Sequence, residues 1–413
     1  MSTSKFLIAN KFDAAFSALV ASRIAFALFG LSNTLKHDQL LSTPLSSYTQ
    51  LREGIFLLRN GVDPYSGGTF RHSPLLLALF SVILPESRTY ASLVWTIFDL
   101  VGAWALVSTW RARQNVQKTS RDKVVAASYL LNPYVFLPTL ALSSSSLQSS
   151  LILLSVKYAA EGRASPSLLF LSVLLHIDLS TLVLLLPILL LLISDPHSHL
   201  ASPRPFSANI RRILPLFGEF ILYTTILSTA STIIVGGTQW IPQTWGATLT
   251  LPDLTPNTGL WWYFFTEMFD HFRPFFLMVF SVHLLIYVVP MCIKFQYDPL
   301  YAIFLLLGVL GTFKAYPTLS DPGLFFSVLS IFPEVHPYLR HPIVTALIHL
   351  HAALLMPLFN HLWLNTGTGN ANFFYASTLV FACGNGAGLI DAVWAGLRIA
   401  IGKETEGYVV VQE

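Results

Sequence analysis

The polar residues that could do chemistry lie in a few loops of an otherwise apolar chain. The densest group follows an aromatic run at residues 261–265, where Glu267 and His271 lie four residues apart. On a helix this spacing places both side chains on one face. Such a face could bind a headgroup with phosphate and amine groups, with His271 or Arg273 facing the phosphate and Glu267 facing the amine. The alternative is an interfacial aromatic belt with a surface ion pair.

Three further segments offer hydrogen-bonding groups. Residues 63–77 begin with an Asp-Pro turn and contain a Gly-Gly pair, which favours either a polar site or simply a tight re-entry turn. Residues 314–323 and 365–375 are also polar, and the second of them carries two amides without a charge. The candidate binding residues from all four segments are Asp63, Tyr65, Ser66, His72, Asn257, Tyr263, Glu267, His271, Asn370 and Asn372.

The sequence has none of the common catalytic or metal-binding motifs. It contains no Walker loop, no G-x-S-x-G, no H-E-x-x-H and no G-x-G-x-x-G. The acidic residues of the first long polar stretch, Asp38, Glu53 and Asp63, stand alone rather than in pairs. Two cysteines, Cys292 and Cys383, are too few for a zinc site. We therefore expect no catalytic residue, no metal site and no cofactor.

The amino-acid composition indicates the environment in which these polar groups are held. Of the 413 residues, 54% are hydrophobic and only 11% are charged, whereas about a quarter of the residues of a soluble domain are charged. This excludes a soluble enzyme and a disordered protein. A net charge of +3 is too small to indicate a nucleic-acid partner. The chain is therefore predicted to be an integral membrane protein.

We predict an all-α, polytopic membrane protein with about twelve spans in one domain over residues 1–413. Basic residues dominate segment 111–123, which places that loop in the cytosol together with both termini. This orientation requires residues 74–84 to be a half-inserted or surface segment. The lumenal loops are then about 33–73, 236–273, 315–321 and 364–371. The predicted spans are residues 14–32, 90–110, 124–142, 147–160, 165–178, 179–194, 213–235, 274–293, 299–314, 322–333, 343–363 and 372–398.

Several of these segments resemble one known family. The strings PDLTPNTGLWWYFFTEMFDHFRPFF (252–276), DPYSGGTFRHSPLLL (63–77), YLLNPY (129–134), FKAYPTLSD (313–321) and NANFFYASTL (370–379) look like the U subunit (PIG-U) of the glycosylphosphatidylinositol (GPI) transamidase. The matches run in order from about residue 50 to residue 385.

The resemblance implies a fold and a role. The fold would be similar to the polytopic GT-C glycosyltransferases. The complex would lie in the endoplasmic reticulum membrane, where a caspase-like subunit joins the carboxyl end of a precursor to the GPI lipid. This chain would be a non-catalytic subunit that recognises the lipid. Its partners would be the other transamidase subunits, the GPI lipid and membrane lipids, with no nucleic acid.

Other functions remain open at this point. A GT-C mannosyltransferase that uses a dolichyl-phosphate sugar needs a carboxylate in the first lumenal loop, and Asp63 is the only candidate near a turn. A transporter or scramblase would be expected to show repeats and intramembrane charges, of which Arg23, Asp99 and Asp178 are the few examples. A purely structural scaffold is a further possibility.

Overall fold

The computed structural model describes residues 2–35, 40–205, 209–402, 407 and 410. Within these ranges the regular structure is helical, and the only β-type pairing is an isolated bridge between His199 and Ser202. Five helical segments are long and apolar enough to cross a membrane: Arg88–Gln114, Ile210–Val235, Arg273–Lys294, Pro342–Leu364 and Ala371–Ile401. The prediction of an all-α, polytopic membrane protein is confirmed, whereas the count of twelve spans stays a prediction.

The α-helices are numbered in chain order. They are α1 Ser2–Leu28, α2 Leu31–Thr34, α3 Tyr48–Arg59, α4 Pro74–Ile83, α5 Arg88–Gln114, α6 Asp122–Leu130, α7 Pro133–Leu140, α8 Ser145–Ala160, α9 Ala164–Ile177, α10 Leu185–Ile193, α11 Ile213–Val235, α12 Trp240–Gln243, α13 Trp245–Thr250, α14 Trp261–Thr266, α15 Arg273–Ile286, α16 Val288–Lys294, α17 Pro299–Phe313, α18 Ser320–Val328, α19 Pro342–Leu364 and α20 Ala371–Ile401. Short 3₁₀ segments occur at Leu179–Leu184, Ile210–Arg212, Leu329–Ile331 and His336–Tyr338.

Several predicted spans consist of two helical pieces. The segment predicted at 124–142 divides into α6 and α7, because Pro133 disfavours helical geometry in the preceding residue and Asn132 caps the new helix by accepting from the Tyr134 amide at 3.0 Å. The segment predicted at 179–194 begins as the 3₁₀ turn Leu179–Leu184, and Asp178 accepts from the Ser180 amide at its start. Broken helices at membrane depth are tolerated where neighbouring groups satisfy the backbone.

The polar stretch predicted as a loop at 33–73 contains α3. This helix packs beside α4, and Phe70 lies so close to Gly54 that a Cβ there would fall 2.2 Å from the ring. Helix α4 occupies the segment predicted to be half-inserted. Its ten residues span about 15 Å, half of the thickness of a hydrocarbon core, and it exposes Val82 and Ile83.

Helix α17 lies at the centre of the bundle, since every residue from Pro299 to Thr312 is buried. It packs against α10, α18 and α20. The predicted lumenal loops meet beyond its C-terminal end, where the Tyr316 hydroxyl donates to the backbone oxygen of Asp253 at 3.0 Å. At its N-terminal end, Asp298 pairs with Arg113 at 2.7 Å. The bundle thus brings the polar loops of each end into contact around one buried helix.

Candidate functional site

The site with the densest set of exposed polar groups is formed by α14 and the start of α20. Helix α14 is only six residues long, and it buries Trp261, Trp262 and Phe265 while Tyr263 stays half-buried. Trp262 stacks on Trp363 at the end of α19, with ring centroids 6.2 Å apart. This aromatic packing holds the short helix against α19 and α20.

The loop between α19 and α20 is tight and depends on two glycines. Gly367 has a φ of +69°, a left-handed conformation that favours glycine. Gly369 donates its amide to the Leu362 carbonyl at 2.9 Å, and a Cβ there would lie 3.0 Å from the Trp363 amide nitrogen. The loop ends at Asn370, whose side chain caps α20 by accepting from the Phe373 amide at 3.1 Å.

A phenol and two amides therefore come together at this position. The Tyr263 hydroxyl donates to the side-chain oxygen of Asn372, and Asn372 and Asn370 are both exposed. The Tyr263 ring lies 4.6 Å from the ring of Tyr375, whose hydroxyl donates to the Leu260 carbonyl at 3.1 Å. Desolvation raises the pKa of Tyr263, and the nearby Glu267 carboxylate raises it further. The phenol is accordingly a neutral hydrogen-bonding group at physiological pH.

An apolar cavity of about 340 Å³ lies directly beside this polar group. It is bounded by α14, α15, the end of α17 and the start of α20, and Leu260, Phe264, Phe280, His283 and Tyr375 line it. Tyr375 belongs to the cavity wall and also contacts Tyr263. The arrangement places hydrogen-bonding groups at the rim of an apolar pocket, as in many sites for amphipathic ligands.

The predicted helical pairing of Glu267 and His271 is wrong. Helix α14 ends at Thr266, and a new helix begins at Arg273 with Pro274 in its first turn, so the two residues lie in the irregular connection between helices. Both side chains are exposed. His271 packs beside the Phe272 ring, with centroids 4.0 Å apart. The two groups are close in the chain but do not share a helical face.

Asn257 lies in a different setting from the other two amides. Its residue is 3% exposed, its side-chain oxygen accepts from the Gly259 amide at 2.8 Å and its amide donates to the Thr255 carbonyl at 3.1 Å. These hydrogen bonds fold the loop that leads into α14. Its polar atoms are thus engaged inside the loop that carries them.

The four candidates of the first polar stretch form the turn between α3 and α4. Asp63 accepts from the Tyr65 amide at 2.9 Å, and the Ser66 hydroxyl donates to the Asp63 carbonyl at 2.8 Å. The buried Tyr65 hydroxyl donates to the His72 carbonyl at 2.7 Å. The His72 ring is also buried, with Nε2 2.8 Å from the Ser47 carbonyl, and burial lowers its pKa to about 4. These contacts connect the two helices of the hairpin.

The α3–α4 turn and the group formed by Tyr263, Asn370 and Asn372 lie at the same end of the bundle, but they do not share a pocket. The α3–α4 turn contacts α12, because Arg71 hydrogen-bonds with Gln243, whereas Tyr263 and the amides Asn370 and Asn372 lie against α19 and α20. Sequence reasoning missed Tyr375 and Trp262. Both residues lie in sequence segments that resemble the known family, next to residues that were selected. Their positions in these segments could have identified them.

The described residues offer no evident metal centre. Among them, no three His, Cys, Asp or Glu side chains come together in a way that could hold a metal ion. The carboxylate of Asp63 accepts a backbone amide rather than facing a second acid. The groups at the site can form hydrogen bonds and apolar contacts.

Comparison with known proteins assigns a family. Residues 17–381 match the family described as GPI transamidase subunit PIG-U. The chain is 35% identical over 386 residues to the GPI transamidase component GAB1 of Saccharomyces cerevisiae, covering 92% of this chain and 93% of that protein. It is 32% identical over 415 residues to the GPI-anchor transamidase component PIGU of Homo sapiens, covering 92% of each.

The chain is also similar, more distantly, to a glycosyltransferase. The GPI mannosyltransferase 1 of Kluyveromyces lactis is 22% identical over 247 residues, which cover 58% of this chain and 56% of that protein. The shorter and weaker match favours the transamidase component over the mannosyltransferase alternative.

Proposed function

Because this chain belongs to the PIG-U family of GPI transamidase subunits, we propose that it positions the GPI lipid for the transamidase and does not itself catalyse the reaction. It would act in the endoplasmic reticulum membrane, with both termini cytosolic. The caspase-like subunit would then carry out the transfer, and this chain would hold the lipid substrate beside it.

The observation that carries the proposal is the contact between the Tyr263–Asn372 pair and the 340 Å³ apolar cavity, through Tyr375. A GPI lipid presents acyl chains, a glycan and phosphates. Part of an acyl chain can enter the cavity between α14, α15 and α20, while the phenol and the exposed amides can hydrogen-bond with glycan hydroxyls and phosphate oxygens.

The remaining candidates divide into two roles under this proposal. Glu267 and His271 are exposed beside α14 and lie within reach of an extended headgroup. Asn257, Asp63, Tyr65, Ser66 and His72 would act indirectly, because their hydrogen bonds maintain the loops in which they lie. The two sets should respond differently to substitution.

The test is complementation of cells that lack the native subunit, at low expression. Tyr263→Phe and Asn372→Ala each remove hydrogen-bonding groups at the rim of the cavity, and we expect a severalfold loss of GPI-anchored protein at the cell surface. Asn365→Ala is the matched control, since this side chain is exposed in the same loop and its Nδ2 lies 3.1 Å from Nδ1 of His361, away from Tyr263. Asn370→Asp keeps the helix cap and separates its capping role from ligand contact.

Assembly must be measured in the same cells. Each variant should co-purify the other subunits as the unsubstituted chain does, so that a loss of surface protein reports on the lipid step. Full restoration of surface protein by both Tyr263→Phe and Asn372→Ala would rule out this site for the lipid headgroup.

A further inference from the structure

A second apolar cavity lies on the opposite face of α15. The first cavity contacts α15 through Val279, Phe280 and His283, whereas this one contacts Ser281, Leu284 and Leu285. Its volume is about 140 Å³, and its other walls are the 3₁₀ segment Leu179–Leu184, α13, Ala315 and the ring of Trp261. Leu182, Leu249 and Leu285 line it and are 39%, 50% and 51% exposed, so the cavity opens at an apolar part of the protein surface.

Two buried hydroxyl groups in the wall of this cavity form no hydrogen bond with any residue that the structure describes. Ser180 and Thr248 are 7% and 8% exposed, and neither side-chain oxygen has a hydrogen-bond partner among the residues that the structure describes. Buried polar groups without a partner are rare because each costs about 1–3 kcal/mol. Water is a poor partner here, since the remaining walls are mainly apolar. The two hydroxyls are therefore suited to oxygen acceptors on an otherwise apolar ligand.

Two guanidinium groups lie close in the structure to the helices that line this cavity. Arg273, at the start of α15, donates to the carbonyl of Leu251, which caps the end of α13 three residues after Thr248. Arg71 is buried, donates to Gln243 and leaves its Nε without a partner in the described residues. For neither guanidinium does the structure show an ion pair within 4.0 Å to any described carboxylate.

The two guanidiniums also share a neighbour. Burial raises the pKa of the Tyr316 hydroxyl, whereas the nearby positive charges of Arg71 and Arg273 lower it. One carboxylate that faces this region is Asp253, whose Oδ1 accepts from the amide of Thr255 at 3.1 Å and from its hydroxyl at 2.5 Å. The carboxylates of Asp178 and Asp321 also lie next to the cavity wall, and both pair with Lys314. An anionic group entering here would therefore have the guanidiniums of Arg71 and Arg273 as its possible partners.

We propose that this cavity binds a diacyl glycerophospholipid. The part of one acyl chain that is next to its ester occupies the apolar space against α15, the ester carbonyls accept hydrogen bonds from Ser180 and Thr248, and the phosphodiester lies against Arg273. A bilayer phospholipid supplies the hydrocarbon, the two ester acceptors and the anion in this order from membrane to surface. The inference goes beyond the proposed function and does not depend on it, because the two cavities lie on different faces of α15, although the Trp261 ring lines both.

The test measures the phospholipid that stays with the purified transamidase complex. The double variant Ser180→Ala/Thr248→Val removes hydroxyls that have no hydrogen-bond partner in the described part of the chain, so the fold should be unaffected or slightly stabilised. Ser231→Ala is the matched control, because Ser231 is fully buried with an unpartnered hydroxyl and does not line this cavity. Each complex is incubated with dioleoyl phosphatidylinositol, separated from free lipid and analysed by mass spectrometry.

We expect the double variant to retain about fivefold less probe than the unsubstituted complex, in line with two lost hydrogen bonds, and Ser231→Ala to retain the normal amount. Arg273→Gln should lower retention as well, while Arg273→Lys should preserve most of it. Unchanged retention in the double variant would overturn the proposal. So would a selective loss of co-purified GPI species with phosphatidylinositol unchanged, since that result would assign the cavity to the GPI lipid.

Discussion

Asp63 is the residue that separates lipid positioning from sugar transfer. Its carboxylate accepts from the Tyr65 amide, and an asparagine oxygen can accept the same hydrogen bond. We expect Asp63→Asn to support normal levels of surface GPI-anchored protein in cells without the native subunit. A glycosyltransferase that uses this carboxylate as a base or metal ligand would instead lose activity by orders of magnitude, about 100-fold or more. Flow cytometry of the complemented cells distinguishes these results.

His72 should make the stability of the α3–α4 hairpin depend on pH. Burial lowers its pKa to about 4, below the value of about 6.5 for an unfolded histidine. The unfolded chain therefore binds a proton first, and the contribution of neutral His72 is complete above about pH 6.5 and is lost as the pH falls towards 4. The difference between the folded and unfolded pKa values of His72 corresponds to about 3 kcal/mol of folding free energy.

The measurement is the thermal unfolding midpoint of the purified complex between pH 7 and pH 4. His72→Gln keeps a donor for the Ser47 carbonyl but cannot be protonated in this range. We expect its midpoint to fall less steeply with decreasing pH than that of the unsubstituted chain. Parallel pH curves for the two proteins would contradict the assignment.

The asparagines show what could be predicted at the residue scale. Residue type and position identified Asn372 and Asn257 equally well, since Asn257 lies in a predicted polar loop and Asn372 lies at the edge of one. The sequence could not distinguish Asn372, which is exposed beside Tyr263, from Asn257, which spends its hydrogen bonds on Thr255 and Gly259. The contact of Asn372 joins residues that are 109 positions apart in the chain, which no local pattern predicts.

At the scale of elements, α20 offers a matched pair of glycines. A Cβ at Gly396 would lie 2.5 Å from the Tyr301 ring and 3.0 Å from the Phe295 ring, whereas a Cβ at Gly386 would have no neighbour within 4 Å. The Tyr301 ring cannot easily move, because its hydroxyl donates to the Ala392 carbonyl at 2.6 Å.

We therefore expect Gly396→Ala to destabilise the protein by about 1–3 kcal/mol through overpacking. Gly386→Ala should be neutral or stabilising by up to about 1 kcal/mol, because alanine is the better helix former. Thermal unfolding in detergent, with the amount of assembled complex as a second readout, compares the two variants directly. Equal destabilisation by both would show that α20 is not packed against α17 at Gly396.

The sequence predicted correctly that these segments are helical, but it did not predict where the helices are interrupted. Apolar length indicated helices at 124–142 and 274–293, but each region consists of two helices. The break before Pro133 is explained by local backbone preference together with capping by Asn132. The side chain of Asn132 also donates to the Gly323 carbonyl and to Ser327, and such partners on α18 cannot be inferred from a local pattern.

At the scale of the whole molecule, buried ion pairs connect helices that are distant in the sequence. Lys314 at the end of α17 pairs with Asp178 at 2.7 Å and with Asp321 at 2.9 Å. Near the other end of α17, Arg113 pairs with Asp298 and Glu334. Because the sequence has few charged residues, Arg23, Asp99 and Asp178 could be identified as ionisable groups within predicted spans. The sequence did not show which residues they pair with. The positions of these pairs indicate that the few charges within the bundle serve its assembly.

The pair formed by Arg23 and Asp99 provides the sharpest test of this idea. It connects α1 to α5, both side chains are buried, and the Arg23 guanidinium also lies 4.4 Å from the centroid of the Phe136 ring. Asp99 lies eleven residues into α5, about 16 Å along the helix axis. An unpaired charge at this depth is unfavourable, so each group requires the other.

Arg23→Met and Asp99→Leu should each destabilise the protein by about 3–5 kcal/mol, because each leaves a buried charge without its partner. The double variant should recover much of that loss, since two apolar side chains of similar size can replace a buried ion pair at little cost. Steady-state abundance and thermal unfolding of all three variants form a double-mutant cycle. If the double variant is as unstable as the sum of the single variants, the residues contribute independently and the pair does not hold α1 in the bundle.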